Sequence, residues 1–87
     1  MLLFKVVTPE RYSYISKVCI LHYPIGKVVK PFPDTPGIFC FETQQDAWNF
    51  VWSPALVIRV EGVRRRKQAD GHWPRGTILC SLVKVLT

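Results

Sequence analysis

Residues 37–52 read "GIFCFETQQDAWNFVW", and the apolar pattern changes period in the middle of them. Ile38 to Phe41 form a short continuous run of strand-forming residues. After Thr43 the apolar positions fall at helical spacing, with Ala47, Phe50 and Val51 at i, i+3 and i+4 on one face and Trp48 and Trp52 on a neighbouring stripe. Thr43 followed three residues later by Asp46 has the form of a capping box. The hydroxyl would accept from one unpaired N–H of the first turn and the carboxylate from another. Ser53 and Pro54 then end the helix. A strand passing directly into one short helix, in a chain otherwise patterned for strands, points to an α+β fold.

Upstream, "LLFKVV" (residues 2–7) reads as a strand stopped by Thr8 and Pro9. "RYSYISKVCILHY" (11–23) alternates and is rich in strand formers, so it reads as a second strand broken by a bulge. The stretch "YPIGKVVKPFPDTPG" (23–37) holds four of the seven prolines and must be irregular apart from a short "KVV". Long irregular connections in compact domains often carry function, and a rigid covered edge is the alternative.

Downstream, "ALVIRVEG" (55–62) is a strand with Leu56, Ile58 and Val60 on one face and Val57, Arg59 and Glu61 on the other. A basic loop follows. "GTILCSLVKVL" (76–86) is a closing strand long enough to be central or to bend through a bulge near Ser81. The expected architecture is one α+β domain over residues 1–87, with a mainly antiparallel sheet of about five strands and one helix packed on one face.

The 87 residues are too few for two hydrophobic cores, and 48% hydrophobic content is too high for a disordered tail. Apolar runs of about five residues fall far short of the roughly 20 needed to span a membrane. Lys5 sits inside the first apolar run and no small-residue cleavage site follows, unlike a secretory signal. Three cysteines, Cys19, Cys40 and Cys80, fall in predicted strands and read as reduced thiols, which places the protein in the cytoplasm, or the host cytoplasm if it is viral. The formal charge of +6 favours phosphate-bearing or acidic partners.

Catalytic and metal motifs are weak. Cys19 and His22 have C-x-x-H spacing, but in a strand they would face opposite ways and no second pair accompanies them, so no metal is expected. Cys40 and Cys80 lie in apolar strands where a thiol is inert. The six acids are scattered one to an element; Glu61, at a strand end beside Arg59, is the one acid placed to orient a sugar hydroxyl, and an ion pair with a neighbouring arginine is the favoured alternative. No cofactor is implied.

The binding signal lies in "EGVRRRKQADGHWPRG" (61–76). Arg64, Arg65, Arg66 and Lys67 are consecutive, Arg59 precedes them and Arg75 follows. Guanidinium forks suit bidentate contact with phosphate. His72 and Trp73 add flat rings to the same loop, and rings beside arginines suit stacking on a base. The reading is a non-enzymatic basic protein that binds nucleic acid or a phosphate-bearing nucleotide through Arg59, Arg64, Arg65, Arg66, Lys67 and Arg75, with Trp73 as the anchor. The alternatives are a plain solvated hairpin and a module that binds an acidic protein by adding a strand at "KVV".

Taken together, "YSYI" (12–15), "YPIGKVVKP" (23–31), "GIFCFET" with Ala47 and Phe50, "VEG" (60–62) and "WPRGTILCSLVKVL" (73–86) resemble a group of small proteins of phages, archaea and bacteria. The resemblance implies no particular reaction, and it implies that a viral or mobile-element protein would act by binding and blocking. A second similarity is to compact ADP-ribosyltransferase-like folds, carried by His22–Tyr23, the aromatic strand, the A-x-x-F of Ala47 and Phe50, and Glu61. It implies an NAD-binding enzyme with His22 and Glu61 in its site, although the serine motif usual between them is missing.

Overall fold

The alternation within "LLFKVV" organises the molecule. In the computed structural model, which describes residues 1–16 and 20–87, this run is strand β1 (Leu2–Val7). It is covered on both sides. Leu3 and Val7 enter the main core with Val29, Ile38, Cys40, Ile58, Val60, Ile78, Cys80, Val83 and Val85. Phe4 and Val6 point the other way, into a second cluster with Phe41 and Ala47.

The remaining elements are β2 (Val28–Val29), β3 (Ile38–Phe41), helix α1 (Gln44–Phe50), β4 (Leu56–Arg64) and β5 (Thr77–Val85). All strand pairings are antiparallel. Neighbours run β2-β5-β3-β1-β4 in a five-stranded sheet, and a further pairing of β4 with β5 closes it into a small β-barrel. Among the described residues the expectation of about five antiparallel strands and one helix therefore holds, while the sheet is closed and not open. The reason is the length of β5. Its first half pairs with β3, from Phe41 opposite Thr77 to Ile38 opposite Cys80. Its second half pairs with β4, where Val60 lies opposite Val85, and with β2, where Val29 lies opposite Val83. Between Val63 and Arg64 the register slips, leaving Ser81 without an opposite residue. The bulge bends β5 where the ring must turn, as one of the two readings of its sequence implied.

Gly62 sits inside this ring because nothing larger fits. A Cβ there would lie 2.9 Å from Leu3 Cδ1 and 3.0 Å from Cys80 Sγ.

Helix α1 lies outside the barrel against β1, β3 and β4. Thr43 caps it, its hydroxyl accepting from Asp46 N at 3.0 Å. The Asp46 carboxylate lies against Gly76. Ala47 is fully buried, and Phe50 and Val51 pack beside it against Phe41, Phe39 and Val57, as the spacing predicts. Trp48 and Trp52 stay exposed.

Two expectations require correction. Residues 11–16 and 20–23 do not form one strand: isolated bridges join Val7 to Ser13 and Tyr12 to His22, and Lys17, Val18 and Cys19 of the expected strand lie outside the described residues. Arg11 adopts a left-handed φ of 71°, its N–H donating to Thr8 O, and Leu21 N donates to the Ser13 hydroxyl. Such local polar bonds compete with a continuous ladder, and alternation alone does not register them. The basic segment is also not wholly a loop, since β4 runs on through Val63 and Arg64. No helix among the described residues is long and apolar enough to cross a membrane.

Candidate functional site

β1 and β3 share a single ladder pair, Phe4 with Phe41. Beyond it the Lys5 side chain crosses from β1 to donate from Nζ to Phe39 O at 2.8 Å. Above this crossing lies a pocket of about 310 Å³, at the lower end of the roughly 300–1,000 Å³ typical of small-molecule sites. Its walls come from Tyr14, Ile15 and Leu21 between β1 and β2, Phe32 and Thr35 of the proline-rich connection, Phe39 of β3, and Trp73. Lys5 and Tyr23 line its floor.

Lys5 is the feature that distinguishes this pocket. It lies on the inward face of β1 between Leu3 and Val7 and is 5% exposed. Its Nζ stands 4.8 Å from the centre of the Phe39 ring and 5.6 Å from that of Tyr23. Ring faces attract an ammonium, but burial removes its hydration. Burial dominates and lowers the Lys5 pKa from that of an ordinary lysine, against the opposing influence of Cys40 and Cys80. Burial also pushes the Tyr23 phenol upward. The Cys40 thiol is held well above its ordinary value by a hydrogen bond with Cys80 and by burial, which leaves it protonated and inert.

The rings above the floor are mutually braced. Phe39 and Trp73 stand 6.0 Å apart and tilted by 42°, and Phe50 meets Phe39 edge-on at 5.4 Å. Tyr14 packs against Trp52 at 4.6 Å, and its hydroxyl accepts from the N–H groups of Trp52 and Ser53. Trp73 is 39% exposed at the pocket mouth, with Nε1 donating to Ala69 O at 3.0 Å.

The basic residues are dispersed relative to the sequence reading. Arg65 is half-buried and structural. Its Nη1 donates to Thr35 O at 2.8 Å, and its stem lies over Gly37, where φ is +120° and a Cβ would meet Arg65 Cδ at 2.9 Å. With Thr35 and Phe32 it lines a second hollow of about 300 Å³ that shares the proline-rich wall of the first. Arg64, Arg66 and Lys67 are exposed at this end of the barrel. Arg75 is exposed on the helix side, beside Asp46, Asn49 and Phe50. Arg59 projects from the outer face of β4, five residues or about 16 Å from Arg64. Among the described residues the sole ion pair joins the Met1 amine to Glu61 at 2.7 Å, so none of these cations is neutralised by a carboxylate within 4.0 Å.

The residues of the enzyme alternative are not brought together. Glu61 pairs with Met1 beside Leu2 at one end of β1, whereas His22 stacks on Tyr12 at 4.6 Å near the Val7 end, about 16 Å away along the strand. Tyr23 is buried. Cys19 of the C-x-x-H pair lies outside the described residues, and among those described no three His, Cys, Asp or Glu side chains gather where a metal ion would be held.

Lys5, Phe39, Phe32 and Tyr14 form a site that motif reading passed over. One signal was available: in a strand with period two, Lys5 shares the face of Leu3 and Val7, so a lysine was fated for the interior. Compared with family models, curated proteins and solved structures, the chain matches none.

Proposed function

We propose that this protein is a non-enzymatic binding module for a phosphate-bearing aromatic ligand, a nucleotide or one unstacked base of a single strand. The base enters the pocket between Phe39, Phe32 and Trp73, and the phosphate lies towards Arg64, Arg66 and Lys67. The observation that carries this reading is the placement of Trp73. It belongs to the basic loop in sequence and lies on Phe39 in space, so the loop joins a ring wall to cations that have no internal carboxylate partner. Stacking on aromatic side chains contributes about 1–3 kcal/mol per base, and phosphate contacts add a salt-dependent term.

The test is fluorescence of the tryptophans during titration with mononucleotides and short single-stranded DNA and RNA at two salt concentrations. The reading predicts saturable quenching dominated by Trp73, lost in Trp73→Ala and weakened by salt. Quenching that survives in Trp73→Ala, or no response to any of these ligands, would reject it.

A further inference from the structure

One group at the pocket floor takes no part in nucleotide binding. Lys5 is a primary amine on the floor of an apolar, ring-walled pocket, fixed by a single hydrogen bond to Phe39 O. We propose that Lys5 and the pocket above it form a carbonyl-capturing site, which holds an aldehyde or ketone with a flat apolar body as an imine on Nζ. The proposal does not depend on the nucleotide reading.

Imine formation needs three things, and the site supplies each. The amine must be unprotonated, and burial favours the neutral form over the ammonium. It must be held in place, and the bond to Phe39 O fixes Nζ while the cavity above remains open to a ligand. The carbonyl compound must be retained long enough to react, and Phe39, Phe32, Tyr14 and Trp73 offer faces for an apolar body. In the reaction the Nζ lone pair attacks the carbonyl carbon and a C–N bond forms. The carbonyl π pair moves to oxygen, which takes a proton, and Nζ loses one. The carbinolamine then expels water to give the C=N bond. No oxidant or reductant is consumed, and added water reverses the reaction.

The other described lysines provide an internal comparison. Lys27, Lys30, Lys67 and Lys84 are all exposed on the surface. A lysine whose pKa is lowered by burial carries more free amine at neutral pH than an ordinary one.

The experiment is reductive trapping with benzaldehyde and cyanoborohydride at neutral pH, followed by peptide mapping of the intact chain. Each capture leaves one benzyl group on a lysine. The expected result is a first label on Lys5, ahead of every exposed lysine, with a rate that saturates as benzaldehyde rises. Lys5→Met, shown to be folded by its near-ultraviolet circular dichroism, should lose the fast label and keep the slow ones. Label distributed over the exposed lysines with Lys5 unmodified would overturn the proposal. So would a Lys5 rate that grows linearly with aldehyde, since that describes a reactive amine with no binding site. Failure of nucleotide titrations would leave the labelling result unaffected, so the two readings fail separately.

Discussion

Gln68 holds Leu79 by both of its main-chain groups, Oε1 accepting from Leu79 N at 2.8 Å and Nε2 donating to Leu79 O at 2.9 Å. β4 has ended at Arg64, and the glutamine side chain takes the place of the strand that is no longer there. Its Nε2 also donates to Arg65 O at 2.8 Å, which ties the start of the basic loop to β5.

Replacing Gln68 with alanine should therefore cost about 1–3 kcal/mol, because the N–H of buried Leu79 loses its partner. Urea unfolding should show a lower midpoint at unchanged slope. Gln68→Glu should do no better, since a carboxylate would face two carbonyl oxygens. A Gln68→Ala variant as stable as the parent would show that water replaces the side chain.

Arg66→Ala and Lys67→Ala should each weaken nucleotide or single-strand binding and lower the slope of log affinity against log salt by about one. Arg59→Ala, about 16 Å away along β4, should leave both unchanged. Equal effects at all three positions would mean that net charge and no particular surface is responsible.

The sequence was a good guide where one period governs one face. The helix over Gln44–Phe50, its Thr43 cap and its buried Ala47 follow from spacing and capping chemistry alone. The bulge at Ser81 was one of two readings of β5, the other being a plain central strand, and the register slip decides for it. Closure of the barrel was not legible, because alternation shows which face is buried and does not show which strands meet. The departure of residues 11–16 and 20–23 from the expected strand was not legible, because the left-handed turn at Arg11 and the Ser13 side-chain bond leave the alternating pattern undisturbed. The cations of the basic segment are consecutive in sequence, but the fold disperses them. That Arg65 would be drawn in to Thr35 depends on a contact thirty residues away, which no local pattern encodes.

Stability should depend on pH through Lys5 in a definite direction. Its folded-state pKa lies below the unfolded value of about 10.4. Between the two, the unfolded chain binds more protons than the folded one, so this amine makes the protein more stable as pH rises through that interval. Tyr23 and Cys40, with raised values, act in the opposite sense at alkaline pH. The difference in unfolding free energy between the parent and Lys5→Met isolates the amine. It should shift in favour of the parent as pH climbs from neutral towards 10. A constant difference would mean that Lys5 titrates as an exposed lysine does.

Gly62→Ala should cost about 1–3 kcal/mol by overpacking the barrel, with Leu3 and Cys80 forced aside. Gly62→Ala combined with Cys80→Ala should recover part of the loss, because the new methyl then has the space of the missing sulfur. Denaturant unfolding of the two variants and the Cys80→Ala single variant completes the cycle.

β5 touches β2, β3 and β4 alike, and it is the last of the five strands to be synthesised. Until Thr77–Val85 leaves the ribosome, β2 has no ladder partner and β3 has only its single pair with β1. Assembly must therefore wait for one late, sequence-distant event. Topologies governed by such pairings fold over milliseconds to seconds and not microseconds. During that wait the edges that β5 will close stand open, and the net charge of +6 opposes association with neighbouring chains.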